Sequence, residues 1–544
     1  MIRLLYSKIN SITIAALAIA GSSMLSRFLG IFRDRILAGE FGAGKTLDVY
    51  YAAFRIPDLI FNLLVLGALS AGFIPVFTKL INKPQNKVKK FLHKETEAWE
   101  LASIIINIIA ISLIVLCGLG IIFAPLIMKL IAPGFDVHQK EITANLTRIM
   151  FLSPIFLGIS SVLGGILQSF KRFFVYSLSP IFYNIGIIFG ALYLVPIFGV
   201  YGLAWGVVIG AFMHMFIQLP AVLKLGFKYV PKLDLKNKYV RQIGKMMVPR
   251  TLSLAVSQLN LVVITIIAST LTSGSLAIFN FANNLQSFPI GIFGISFAVA
   301  AFPTLSAVSN NKDKLTQNFS LVFRQILFFI VPSTVLLLTL RAQIIRVILG
   351  TGQFDWEDTI LTIQTLGFFS VSLFAQATLP LLIRTFYARR NSLTPFLAGL
   401  AATVINILLS WFLAPLLGVA GLALAFSLSS IANFLLLWIL LKFELGDMDE
   451  MKILISVGKF SLASLAAGIA IQSAKLAIWP FVDMTKLWGV LTQGLVAGLA
   501  GIIAYIIFGY LLGSEELFSF WHSLKKRLPF YKVEIDDQGE ARGI

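Results

Sequence analysis

Long apolar runs, broken by short polar stretches, dominate the chain, and few segments show the polar stripes of a soluble amphipathic helix. A helix crossing a bilayer needs about 20 consecutive, mostly apolar residues. Fourteen stretches meet that description: 9–36, 49–81, 99–128, 142–170, 176–196, 200–223, 243–271, 275–307, 317–340, 358–386, 393–414, 418–441, 452–478 and 487–512. Gly and Pro inside them do not argue against helix, because membrane helices tolerate both. The predicted class is an all-α polytopic membrane protein with about 14 transmembrane helices.

The first two runs break the pattern. Between Met24 and Leu80 stand Arg27, Arg33, Asp34, Arg35, Asp48, Arg55 and Asp58, in or beside apolar sequence. Charge near a bilayer core is expensive, so such residues face a bundle interior or a wet cavity, or they snorkel from segment ends. For Asp34 and Arg35 both readings stand. Arg27 and Arg55 adjoin long apolar runs, which favours the cavity, and cations there suit an anionic substrate.

Composition agrees with the pattern. The 544 residues are 58% hydrophobic and 13% charged, where a soluble domain carries about a quarter charged residues. The formal charge of +19 reads as cytoplasmic loops on anionic lipid, so no nucleic-acid partner is expected. A single cysteine, Cys117, excludes a disulfide framework. His93, His138, His214 and His522 lack ligand spacing, so no metal and no cofactor is expected. Asp355, Glu357 and Asp358 form the one close acidic group and read as a solvated helix start.

Arg3 and Lys8 before SITIAALAIAG resemble a secretory signal, but the apolar run continues past Met24, which favours a first membrane helix. Lys and Arg set the orientation. Lys83, Lys87, Lys89, Lys90 and Lys94 follow the second run, and Lys224, Lys228, Lys232, Lys236, Lys238, Arg241 and Lys245 surround the sixth loop. The loops at 196–200, 271–275 and 414–418 have no Lys or Arg. Both termini are therefore expected in the cytoplasm.

An internal repeat is visible. PIFGVYGLAWG at Pro196–Gly206 echoes PLLGVAGLALA at Pro415–Ala425, and FKRFFVYSLSP ending at Pro180 echoes FYARRNSLTP ending at Pro395. GFIPVF at Gly72–Phe77 loosely echoes AAFPTL at Ala300–Leu305. Each offset spans six helices, an even number, so the copies insert with the same orientation. The expected organisation is an N-lobe over 1–224, a C-lobe over 239–445, two extra helices over 450–513 and a cytoplasmic tail over 514–544, with binding between the repeats.

One motif invites a wrong conclusion. GEFGAGKT at Gly39–Thr46 fits the phosphate-binding pattern G-x-x-x-x-G-K-[ST]. That loop works only between a strand and a helix of a soluble domain, and here membrane helices flank it. It reads as a glycine-rich turn with Lys45 exposed.

SRFLGIFRD at Ser26–Asp34, FGAG at Phe41–Gly44 followed by Asp48, and Arg55-x-Pro57 resemble the MurJ (MviN) lipid II flippases of the MOP exporter superfamily. So do APGF at Ala132–Phe135, GILQSFKRF at Gly165–Phe173, SPIFYNIGII at Ser179–Ile188, NNLQSFPIGIFG at Asn283–Gly294 and TGQF at Thr351–Phe354. The resemblance implies a two-lobed, alternating-access carrier of the bacterial cytoplasmic (inner) membrane, acting in peptidoglycan biosynthesis and so in cell shape. It would move an undecaprenyl-pyrophosphate-linked precursor between leaflets. Spans one, two, seven and eight would line the cavity, and the last two would hold the lipid tail. By motif position Arg27 and Arg33 would hold the pyrophosphate, and Asp48 would lie near the outward end. Arg55, with Asp58, would supply charge in the second span. The implied protein is no enzyme, works as a monomer, and meets lipid II, membrane and cell-wall synthesis proteins.

The chain departs from the family pattern at Phe61 and Asn62, where an Arg pair is frequent, at Leu66, where Glu is frequent, and at Asn283 and Asn284, where Asp-Arg is frequent. Asn62, Asn283 and Asn284 remain substrate-binding candidates, with bonds weaker than charged ones. These departures keep open a flippase for another polyprenyl-linked glycan. Asn406 and Ser410 bring no carboxylate with them, so no sodium site is predicted there. Gly67, Gly72, Gly291 and Gly294 are small-residue packing positions or bends near gates.

Overall fold

The computed structural model describes residues 12–66, 72–82 and 91–527. Arg3, Lys8, Gly67, Lys83, Lys87, Lys89, Lys90 and the tail beyond 527 lie outside the described residues.

The described residues form helices and no strand. In chain order they are α1 Ile12–Phe41, α2 Lys45–Phe61, α3 Ile74–Asn82, α4 Phe91–Ile131, α5 Val137–Met150, α6 Leu152–Ser169, α7 Phe173–Phe189 and α8 Tyr201–Phe216. There follow α9 Lys238–Ser269, α10 Ser275–Pro289, α11 Ser296–Ala307, α12 Lys312–Ile348, α13 Trp356–Val371, α14 Leu373–Ala388 and α15 Leu393–Leu417. The last are α16 Val419–Leu445, α17 Glu450–Ile478, α18 Leu487–Leu511 and α19 Glu515–Arg527. The signal-like run is thus the start of one continuous helix, α1.

Among the described residues ten segments are long and apolar enough to cross a membrane, and the pair α13–α14, bent by 45°, makes eleven. The three expected spans outside this set are 9–36, 49–81 and 243–271. Their polarity is the reason. The first carries Arg27, Arg33, Asp34 and Arg35, the second carries Arg55 and Asp58, and of the third only Leu254–Ser269 is a continuous apolar helix.

The chain divides into two compact units, one of residues 1–277 with 351–355 and one of 278–350 with 356–544. By contact α9 belongs to the first unit. That unit's core is aromatic: Trp99 stacks on Phe170 at 5.5 Å and meets Phe77 and Phe227 edges at 5.8 and 5.6 Å. Between α7 and α8 the backbones touch, because a Cβ on Gly186 would lie 2.2 Å from the Gly210 Cα and one on Gly190 would lie 2.4 Å from the Gly206 Cα. This is small-residue packing at four-residue spacing. The second unit's core runs through Phe319, Phe323, Phe328, Phe460 and Tyr505. Its C-terminal helix α19 is held by Glu516, which takes Arg324 Nη1 at 2.5 Å and Ser456 Oγ at 2.9 Å.

Prolines inside these helices free the carbonyl four residues back, and neighbouring helices supply donors. Pro57 frees Ala53 O, which accepts from Thr147 Oγ1 at 3.3 Å. Pro125 frees Ile121 O, which accepts from Arg148 Nε at 3.3 Å. Pro332 frees Phe328 O, which accepts from Tyr505 Oη at 2.7 Å. In a bilayer, where water is absent, such re-pairing keeps a bent helix affordable.

The repeat is written in the backbone. Gly199 has φ 59°, ψ −148° and Gly418 has φ 61°, ψ −141°. Lys171 and Arg390, the same 219 residues apart, both adopt a positive φ near 60°. In each pair the following residue folds back onto a carbonyl five residues earlier, Arg172 to Leu167 at 2.7 Å and Asn391 to Phe386 at 3.0 Å. Two units thus turn the chain in the same way at matched places.

Candidate functional site

The charged stretch lies in the first unit. α1 carries Arg27 half-buried, between exposed Met24, Leu25 and Phe28. Two turns on, Arg33 donates from Nε and Nη2 to Asp34 Oδ1, at 3.1 and 2.8 Å, and from Nη1 to Asn184 Oδ1 at 3.1 Å. Asn184 sits on α7, buried, and its Nδ2 donates to Pro180 O at 3.0 Å. A carbonyl on one side and a donor-only guanidinium on the other dictate which way that amide faces. Of the five guanidinium N–H groups, three are thus committed to Asp34 and Asn184, which fixes the fork and leaves donors for a ligand.

On α2, Arg55 is buried and its Nε donates to Thr265 Oγ1 of α9 at 2.9 Å. Asp58 and Asn62 follow at i+3 and i+7, so all three share one helix face, and the Asn62 side chain hydrogen-bonds Asp58. Just beyond Phe61 the helix widens into a π-turn, Asn62–Leu66. A second π-turn, Ile290–Ile295, follows α10. Such turns concentrate at functional sites. The structure therefore brings Arg55, Asp58 and Asn62 together and ties Arg33 to Asp34.

Asp48 has a different environment. It is buried, and Oδ2 and Oδ1 accept the backbone N–H groups of Gly274 and Ala277 at 2.6 and 2.9 Å. A carboxylate at a helix start meets unpaired N–H groups and the positive end of the dipole. The glycine-rich turn before Asp48 is a docking point for other turns. A Cβ on Gly274 would fall 1.8 Å from Ala43 O, and Gln353 N donates to Gly39 O at 2.8 Å. Lys45 is exposed and lies 3.5 Å from Asp136. A helix, not a strand, leads into GEFGAGKT, so the phosphate-loop geometry is missing.

Asn283 and Asn284 lie on α10 in the second unit, both half-buried. Gln286 Nε2 donates to Asn283 Oδ1 at 3.1 Å, and Gln376 Nε2 donates to Gln286 Oε1 at 3.0 Å. Sequence reasoning passed over Asn184, Thr265, Gln286 and Gln376. Each is a polar residue inside an apolar run, and that was the available signal.

Fold and site together define a polytopic carrier with oriented cations near its first two helices. The chain is similar to an inward-facing multidrug resistance MATE family transporter of the MOP superfamily, with TM-score 0.64 and 16% identity over 78% of this chain and 96% of that one. It is also similar to a lipid II flippase MurJ in an inward closed conformation, with TM-score 0.73 and 25% identity over 94% of this chain and 100% of that one.

Among curated relatives, the probable lipid II flippase MurJ of Buchnera aphidicola subsp. Acyrthosiphon pisum is 32% identical over 422 residues, 76% of this chain and 81% of its own length. That of Thermotoga maritima is 29% identical over 505 residues, 92% and 97% of the two chains. The family described as MurJ, lipid II flippase MurJ, matches residues 37–492, and the chain belongs to it.

Proposed function

We propose that this membrane protein is a lipid II flippase. It carries a polyprenyl-pyrophosphate-linked peptidoglycan precursor from the inner to the outer leaflet of the bacterial cytoplasmic membrane by alternating access. A pyrophosphate headgroup does not cross hydrocarbon unaided, because burying unpaired charge is prohibitive. The observation that carries the reading is the pair of pre-set arginines, Arg33 held by Asp34 and Asn184 and Arg55 held by Thr265. Guanidinium forks held in one geometry suit bidentate recognition of phosphate. With Arg27, Asp58 and Asn62 they form the headgroup site, while the last two spans take the polyprenyl tail. The substrate leaves unchanged, the protein acts as a monomer, and both termini face the cytoplasm.

The test is rescue of a strain conditionally depleted of its lipid II flippase, run beside a glycan-flippase-deficient strain. The wild-type chain should rescue the first, and Arg27→Ala and Arg33→Ala should insert normally and fail. Rescue of the second strain alone would move the substrate to another polyprenyl-linked glycan. That second reading is favoured by one observation, the neutral Phe61, Asn62, Asn283 and Asn284.

A further inference from the structure

The second unit contains a chain of uncharged side chains whose direction can be deduced link by link. Ser427 Oγ donates to Phe368 O at 2.8 Å, which commits its one proton. Ser372 Oγ lies 2.9 Å from Ser427 Oγ and 3.2 Å from Phe369 O, so its proton is taken by one of these acceptors. Ser372 must therefore accept from Gln376, whose Nε2 lies 2.8 Å away. The same NH₂ group gives its other proton to Gln286 Oε1 at 3.0 Å. Gln286 then presents Nε2 to Asn283, and Asn283 answers with Oδ1 at 3.1 Å. The relay joins α16, α14 and α10, and it ends with the Asn283 NH₂ as a donor on a half-buried residue. Ser372, Ser427 and Gln286 are buried to 1% exposure or less.

Two features say what such a donor takes. The stretch 275–307 contains no Lys, Arg, Asp or Glu, so nothing there offers charge to a phosphate. Asn280, Asn283, Asn284 and Ser287 fall at i, i+3, i+4 and i+7, which makes one amide-rich face of α10. Aligned neutral donors of this kind discriminate among neutral acceptors, because a site built for one hydrogen bond rejects an analogue that lacks it.

We propose that Asn283 donates to an uncharged oxygen of the lipid-linked headgroup, an acetamido or peptide carbonyl or a sugar hydroxyl. Gln286, Gln376, Ser372 and Ser427 are positioning residues that set its direction. The proposal rests on the flippase reading and divides the labour within it, with phosphates assigned to arginines of the first unit and the neutral portion to α10.

The experiment measures binding of two probes to the full-length protein in nanodiscs, a polyprenyl diphosphate without sugar and the same lipid bearing an N-acetylated disaccharide. Asn283→Ala should weaken the glycosylated lipid about five- to tenfold, the value of one neutral hydrogen bond, and leave the bare diphosphate within about twofold. Gln376→Glu, an acceptor on both sides, should reverse the relay and give the same selective loss with Asn283 intact. Equal weakening of both probes by Asn283→Ala, or no weakening of either, overturns the proposal, whether or not Gln376→Glu folds. If the wild type binds neither lipid, the flippase reading itself falls and takes the proposal with it.

Discussion

Asp48 and Gly274 are 226 residues apart in the chain and 2.6 Å apart at Oδ2 and N. With Ala277 N as the second donor, the carboxylate caps the start of α10 from the first turn of α2. Asp48→Ala leaves two buried N–H groups without an acceptor and should cost about 2–4 kcal/mol. Asp48→Asn keeps one good acceptor and should lose roughly half of that. Thermal unfolding of the purified protein in detergent checks both. Unchanged melting for Asp48→Ala would remove the cap from the account.

Gly274 and Gly418 both have positive φ, yet they differ in surroundings. A Cβ on Gly418 meets nothing within 4 Å, whereas one on Gly274 collides with Ala43 O. Gly418→Ala should therefore cost only the left-handed penalty, about 1–2 kcal/mol. Gly274→Ala adds a backbone clash and should abolish stable expression. Comparable yields of the two variants would contradict this assignment.

The arginine partners make a separable pair. Thr265→Val removes the acceptor for a buried guanidinium N–H while keeping the shape, and should cost about 1.5–3 kcal/mol. Thr265→Ser should restore the loss, since Ser keeps the hydroxyl. Asn184→Ala frees Arg33 Nη1 and should weaken headgroup binding about tenfold with little change in insertion, because Asp34 still holds the guanidinium. A double-mutant cycle with Arg33→Lys should be non-additive, and strict additivity would uncouple the two residues.

Lys45 and Asp136 sit outside the membrane helices. The Asp136 carboxylate accepts from Gln139 N at 2.7 Å in a capping box and is held below the usual carboxylate range, first by that bond and then by the Lys45 charge. A depressed value means the capping contribution is present above the unfolded pKa of about 3.9 and fades as acid passes the folded value. Amide exchange at the start of α5 should therefore quicken only in strong acid. Lys45→Ala should leave both transport and exchange nearly unchanged at neutral pH, since an exposed ion pair contributes little. A collapse of transport in Lys45→Ala would revive a phosphate-loop role for GEFGAGKT.

Much of the fold was legible because the bilayer imposes a crude rule on length and apolarity, and ten segments obey it. The three that do not are the ones whose charges and polar groups had marked them for another task. The repeat was legible in words such as PIFG and PLLG, since the same turn needs glycine at the same place. The site was legible as residue types and not as partnerships. Nothing near Arg33 in sequence names Asn184, which is 151 positions away, and nothing near Arg55 names Thr265 at 210. Asp48 shows the limit most plainly. A carboxylate flanked by apolar sequence signals function or capping alike, and only the remote amides of Gly274 and Ala277 reveal the cap.

The matched turns at Gly199 and Gly418 have a practical use. Phe198 and Leu417 stand one residue before them, 54% and 45% exposed, while the lone native thiol at Cys117 is buried. Cysteines at 198 and 417 would give two spin labels in near-identical local frames. Any change in their separation during a transport cycle would then report motion of whole halves and not of the reporters themselves.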